Sequence, residues 1–212
     1  MTQISRTKIL LANLAISFGL VSAAQATVLF ESLPNRTSGF SSVSNGGSTV
    51  VGRLTVSAAR TVGAIGVLNN LQSGGNLKFF IADAGTGAML YLSGAKAFAA
   101  ETGQNLNLTY KVSDGLSFTF MPGTTYAVGS IADRTAYTYA DAFQTNTAGG
   151  FTSLTGNENV SNYAMPTLNT ATNCCAVGFE LLDAPLAVPE PGTLALLGAG
   201  LLGLGVVRRR GG

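Results

Sequence analysis

The chain has 212 residues, a formal net charge of +2, 10% charged residues and two cysteines, with neither histidine nor tryptophan. Without histidine, a Ser-His-Asp or Cys-His catalytic pair and any histidine-ligated zinc or haem site are excluded. Without tryptophan the strongest stacking platform for a sugar ring is gone, although tyrosine and phenylalanine can take its place.

At the N-terminus, Arg6 and Lys8 precede an apolar run over 9–21, and Ala24-Gln25-Ala26 supplies a small-x-small cleavage site. This predicts a secretory signal peptide over residues 1–26, cut after Ala26 by signal peptidase. A membrane anchor needs about 20 apolar residues, and Asn13, Ser17 and Gly19 interrupt this shorter run.

Residues 27–187 are then left as one domain, long enough to bury a single core. Its basic residues are Arg36, Arg53, Arg60, Lys78, Lys96, Lys111 and Arg134; its acidic ones are Glu31, Asp83, Glu101, Asp114, Asp133, Asp141, Glu158, Glu180 and Asp183. The excess of positive charge in the whole chain therefore resides in the two end segments. Nucleic-acid binding, which needs a clustered basic face, is not expected.

Along this domain, short β-branched and aromatic segments alternate with Gly, Asn, Ser and Asp, the pattern of an all-β fold. Strands are predicted over 28–33, 49–56, 62–68, 77–82, 89–92, 106–112, 116–120, 125–131, 136–143 and 176–182. Alternation is clearest at 105–112, where Leu106, Leu108, Tyr110 and Val112 fall on one face, predicted buried, and Asn107, Thr109 and Lys111 on the other, predicted wet. Asp114-Gly115 suits a type I′ turn joining this strand to 116–120 as a hairpin. The expected architecture is an antiparallel β-sandwich of jelly-roll type. The predicted strands are too short for an outer-membrane barrel. Residues 144–173, rich in Thr, Asn, Ser, Gly and Ala, are expected to form long loops.

Candidate chemistry on this domain is sparse. Tyr137 and Tyr139 share a strand face and could stack on a glycan, with Phe143 and Tyr163 as further candidates. Asp133 with Asp141 is the one carboxylate pair considered for glycoside hydrolysis, which needs two carboxyl groups at a set separation. No calcium loop appears and no metal or cofactor is expected. Cys174 and Cys175 are adjacent, so they cannot staple distant parts of the fold. They read as two thiols, one buried and one exposed, or as a vicinal disulfide forming a rigid turn, or as an intermolecular pair.

The most specific pattern lies at the C-terminus: Val188-Pro189-Glu190-Pro191-Gly192, then an uncharged apolar segment over 193–207, then Arg208-Arg209-Arg210. The prolines enforce extended backbone that a protease can grip. The apolar segment is predicted to be a helix that enters a bilayer, and the arginines hold its end on the cytoplasmic side. Residues 188–212 closely resemble the PEP-CTERM sorting signal, with its central Pro189-Glu190-Pro191, its Gly- and Leu-rich helix and its terminal arginine cluster. The resemblance implies recognition by an exosortase in the inner membrane, a transient membrane intermediate, and delivery to the cell surface or exopolysaccharide matrix of a Gram-negative, biofilm-forming bacterium.

The stretch 52–131 also resembles a β-sandwich module of extracellular bacterial proteins, through Gly87-Ala88-Met89-Leu90 and the run from Phe118 to Val128 containing Pro122-Gly123-Thr124-Thr125-Tyr126. That resemblance implies an accessory or carbohydrate-binding-like module. The readings are therefore, in order, a non-enzymatic surface or matrix protein of structural or adhesive role, a carbohydrate-binding domain for the cell's own exopolysaccharide, and a carboxylate glycoside hydrolase.

Overall fold

A computed structural model describes residues 26–35, 40–44, 47–101, 108–141, 144–169 and 175–183. All regular structure there is strand, and residues 26–183 belong to one unit. The predicted signal helix and C-terminal helix lie outside the described residues, among which no helix is long and apolar enough to cross a membrane.

In chain order the strands are β1 (Val28–Glu31), β2 (Phe40–Ser44), β3 (Ser48–Val56), β4 (Arg60–Val62), β5 (Ala64–Asn70), β6 (Gly75–Asp83), β7 (Met89–Leu92), β8 (Lys96–Phe98) and β9 (Thr109–Val112). They continue as β10 (Phe118–Phe120), β11 (Tyr126–Ala132), β12 (Ala136–Asp141), β13 (Thr147–Ala148), β14 (Phe151–Ser161), β15 (Thr167–Leu168), β16 (Ala176–Val177) and β17 (Phe179–Leu182). One sheet runs β1-β17-β5-β12-β16, with β2 beside β12 and β9 beside β5; the other runs β13-β14-β3-β11-β6-β7, with β15 beside β14 and β8 beside β6. The pairings are antiparallel, and β10 with β4 forms a separate two-stranded ribbon.

The alternation of each strand sends one set of side chains between the sheets. Phe30, Ile65, Val67, Phe179 and Leu181 of the first sheet meet Leu54, Leu77, Phe79, Ile81, Tyr126 and Val128 of the second in one core cluster. The protein is thus an antiparallel two-sheet sandwich. Phe30 lies 5.6 Å from Phe151 and 5.9 Å from Phe179, centroid to centroid, which ties the edge strand β1 into that core. The outer face of the second sheet carries its own cluster of Val51, Phe80, Ala127, Ile131 and Val160 beneath Tyr163 and Leu168, so this sheet is buried on both faces.

Four sequence expectations are corrected. Residues 144–169 are not a run of long loops, because β14 is an eleven-residue strand paired along β3. Its composition hid it: Gly156, at φ +90°, sits at the register shift between Leu154 and Asn157, where a bulge interrupts the two-residue period. The segments around Asp114-Gly115 do not form a hairpin, since β9 pairs with β5 and β10 with β4. The wet face predicted for Lys111 is a buried one, with Lys111 only 6% exposed. Its register partner Val67 points into the core, and Glu101 supplies a carboxylate 2.6 Å from the Lys111 ammonium. Strand alternation locates the two faces of β9, but it cannot say which one meets the opposite sheet. Cys175 is buried and disulfide-bonded, which removes its reading as a thiol; Cys174 lies outside the described residues.

Two local devices hold the layers together. Ser32 Oγ donates to Val177 O and accepts from Phe179 N–H, both at 2.8 Å, across the break between β16 and β17. Ser32→Ala leaves that buried N–H without a partner, and we expect a loss of about 2 kcal/mol in chemical denaturation. Gly129 is needed because a Cβ there would sit 2.5 Å from Val51 Cγ1. Gly129→Ala is expected to cost about 1–3 kcal/mol through overpacking. Combined with Val51→Ala, the loss should be smaller than the sum of the two single losses, as a double-mutant cycle will read.

Candidate functional sites

Tyr137 stands on the outer face of the first sheet. Its neighbour Thr138 is buried and in register with Asn69, whose Nδ2 donates to Ser130 Oγ of the opposite sheet at 3.1 Å. Position 138 therefore points inward, and position 137 outward. Tyr137 is half-buried and belongs to none of the core clusters. Position 139 lies on the same face of β12 by strand alternation, while the Tyr139 side chain and Phe143 lie outside what the structure describes.

Tyr163 is engaged differently. Lys78 Nζ sits 4.7 Å from its ring centroid and donates to the main-chain oxygens of Tyr163 and Ala164 at 3.0 and 3.1 Å. One face of the ring is thus occupied by a cation, and Tyr163 acts as a clamp holding the 161–168 turn over the outer cluster. Burial pushes its phenol pKa up, with the Asp133 charge adding to the effect.

The carboxylates are structural in their contacts. Asp133 accepts from the main-chain N–H of Asn76 at 2.8 Å and from Asn76 Nδ2 at 2.7 Å, pinning the start of β6 to the turn between β11 and β12. Burial alone would raise its pKa, but the Asn76 hydrogen bonds and the Arg134 charge outweigh it and hold the carboxyl below its ordinary value. The Asp141 side chain lies outside the described residues, so the suggested pair is not assembled. Glu101 follows the same logic: burial opposes its charge, yet Lys111, Thr109 and the Leu71 N–H hold it ionised and its pKa low. Glu158 is the opposite case. It is buried on β14 with Arg53 Nε 3.4 Å from its carboxylate, and desolvation exceeds that attraction, so its pKa is raised. Among the described residues no three His, Cys, Asp or Glu side chains group to hold a metal.

A cavity of about 270 Å³ opens at one end of the sandwich, lined by Leu29, Ala59, Arg60, Thr61, Gly149, Phe151 and Asp183. It brings together the start of β4, the β13–β14 turn and the end of β17, three places remote in sequence. Sequence reasoning missed it, because Arg60 and Asp183 carry no motif and only the fold makes them neighbours.

The last described residue, Asp183, donates its main-chain N–H to Thr27 O at 2.8 Å. The residue after the predicted Ala26 cleavage point and the residue leading into the C-terminal segment therefore lie side by side, next to the paired strands β1 and β17. Ala24, Val188, Pro189, Glu190, Pro191 and Arg208, Arg209 and Arg210 lie outside the described residues. A family model for the PEP-CTERM protein-sorting motif matches residues 187–210. No curated protein and no solved structure matches the chain, so the resemblance of 52–131 to a known module gains no support.

The pH behaviour of Asp133 follows from its contacts. A carboxylate with a lowered folded-state pKa adds stability that is fully present above its unfolded value, about pH 4, and is lost as pH falls through the folded value. Asp133→Asn should therefore lower Tm at pH 7 and flatten the decline in Tm below about pH 4, measured by thermal unfolding across pH.

Proposed function

We propose, from the premise that this chain is an exported protein carrying a PEP-CTERM signal for an exosortase, that its sandwich domain works at the cell surface or in the extracellular matrix as a non-enzymatic structural or adhesive protein. The sorting motif carries this reading. The domain's own chemistry supports it: Asp133 is committed to Asn76, Glu101 to Lys111, and the histidine-dependent catalytic arrangements are excluded by composition. The working partners are signal peptidase and the exosortase during maturation, then matrix polymers.

One observation favours glycan binding as the form that adhesion takes. Tyr137 presents an aromatic ring on the outer face of the first sheet, half-buried and outside the core. An aromatic face held by a rigid sheet can stack on a sugar ring, at about 1 kcal/mol or more per contact.

Fractionation tests both levels. The protein should accumulate in the surface or matrix fraction of wild-type cells and fall several-fold there in cells lacking the exosortase. Deleting the gene should weaken matrix cohesion. Purified mature protein should release no sugars from isolated matrix, and cleavage of glycan by it would end the non-enzymatic reading. Tyr137→Ala should lower retention on isolated exopolysaccharide by about fivefold without lowering Tm. Unchanged retention would remove the stacking role of this residue.

A further inference from the structure

The second sheet ends in a strand whose outer side is apolar and accessible. β7 closes the order of that sheet, and β6 is its ladder partner among the described residues. Leu92 stands opposite Phe80, a member of the outer cluster, so Leu92 lies on the outer face; Tyr91 stands opposite Ile81 and packs against the inner core. The register shifts between Ile81 and Ala82, which leaves Leu90 as an extra residue with no position opposite it on β6. Leu90 is 46% exposed and Leu92 38%.

Sheet edges are kept from pairing with other chains by lysine, proline, an inward-pointing charge or a bulge. Residues 84–95 contain no charge and no proline. The bulge bends the strand at its start, but Tyr91 and Leu92 keep a regular register with Ile81 and Phe80. Ser93 donates its main-chain N–H to Phe79 O at 2.8 Å, so by alternation the N–H of Leu92 faces away from β6. Charges stand only at the two ends of this strip. Asp83 Oδ1 accepts from the N–H groups of Gly85 and Thr86 at 2.8 and 3.0 Å, and Lys96 lies 2.9 Å from the Asp114 carboxylate.

We propose that β7 is a self-association edge, pairing antiparallel with β7 of a second copy of this chain about a twofold axis through Tyr91. The strand is self-complementary in that register. Leu90 of each copy falls opposite Leu92 of the other, the leucines meet on the outer face, and the two second sheets join into one. The antiparallel direction also runs the Asp83 end of one strip beside the Lys96 end of the other, which sets unlike charges together. With seven basic and nine acidic residues, the domain has little net charge to hold two copies apart. A four-residue edge buries a small area, so the pairing is weak and depends on concentration. This deepens the structural reading given above, since copies crowded at a surface or in a matrix reach a local concentration that dilute protein lacks.

Sedimentation equilibrium of mature protein recovered from wild-type cells, followed from about 1 μM to about 1 mM, tests this. The average mass should rise toward twice that of the monomer and stop there, because a twofold pair leaves no further β7 edge. Leu90→Lys with Leu92→Lys should weaken association about tenfold or more through like charges placed opposite one another, and Leu90→Glu with Leu92→Glu should do the same. An equimolar mixture of these two double variants should recover the dimer, since Lys then stands opposite Glu. Both positions are exposed, so Tm of each variant should stay within a few degrees of wild type. Met121→Lys and Met165→Lys, at exposed apolar side chains on other segments, should leave association unchanged. A monomer at the highest concentration, a mass beyond the dimer, association indifferent to the lysine pair, or a mixture that stays monomeric overturns the proposal. Fractionation reads matrix delivery separately. Protein that reaches the matrix but stays monomeric ends this assignment and leaves the structural reading standing, whereas a dimer that never reaches the surface ends that reading and leaves the β7 edge.

Discussion

The pairing of the first strand with the last is the constraint on which the rest of the arrangement depends. β1 is an edge strand whose ladder partner among the described residues is β17, from Val28 opposite Leu182 to Glu31 opposite Glu180. Its ladder cannot form until nearly the whole domain has emerged, a closure of high sequence separation and correspondingly slow. The Asp183 N–H to Thr27 O hydrogen bond closes the end of this ladder. Ser32 and Phe30 then lock the edge strand into the sheet break and the aromatic core.

The same closure sets where chemistry collects. The two chain exits and the Arg60 cavity share one end of the sandwich, since Leu29 and Asp183 line the cavity from β1 and the end of β17. Tyr137 lies elsewhere, on the outer face of the first sheet. The domain's best-held carboxylates are occupied by Asn76 and Lys111.

Much of the fold was legible from alternation. Segments such as 49–56, 77–82 and 89–92 have a β-branched or aromatic rhythm, and they are strands β3, β6 and β7 with small shifts of boundary. β14 was illegible because several of its buried positions carry polar side chains. Ser153, Asn157 and Glu158 are buried polar groups, and a glycine bulge breaks the period. Lys111 misled for a related reason, since local pattern assigns a charge to water and cannot foresee Glu101 reaching it from the segment after β8. The sorting tail was readable because its signal is a linear string of residues. The cavity was not, because Leu29, Arg60, Gly149 and Asp183 become neighbours only through topology.

The central claim is that this chain is a sorted export whose folded domain is released from its two end segments. Mass spectrometry of the protein from wild-type cells and from cells lacking the exosortase reads this directly by locating both termini. The account predicts an N-terminus at Thr27 in both strains and a C-terminus near Pro189 to Gly192 in the wild type alone. An intact Arg208 to Gly212 end in both strains would contradict it and would make this a membrane-held protein whose domain never leaves its anchor.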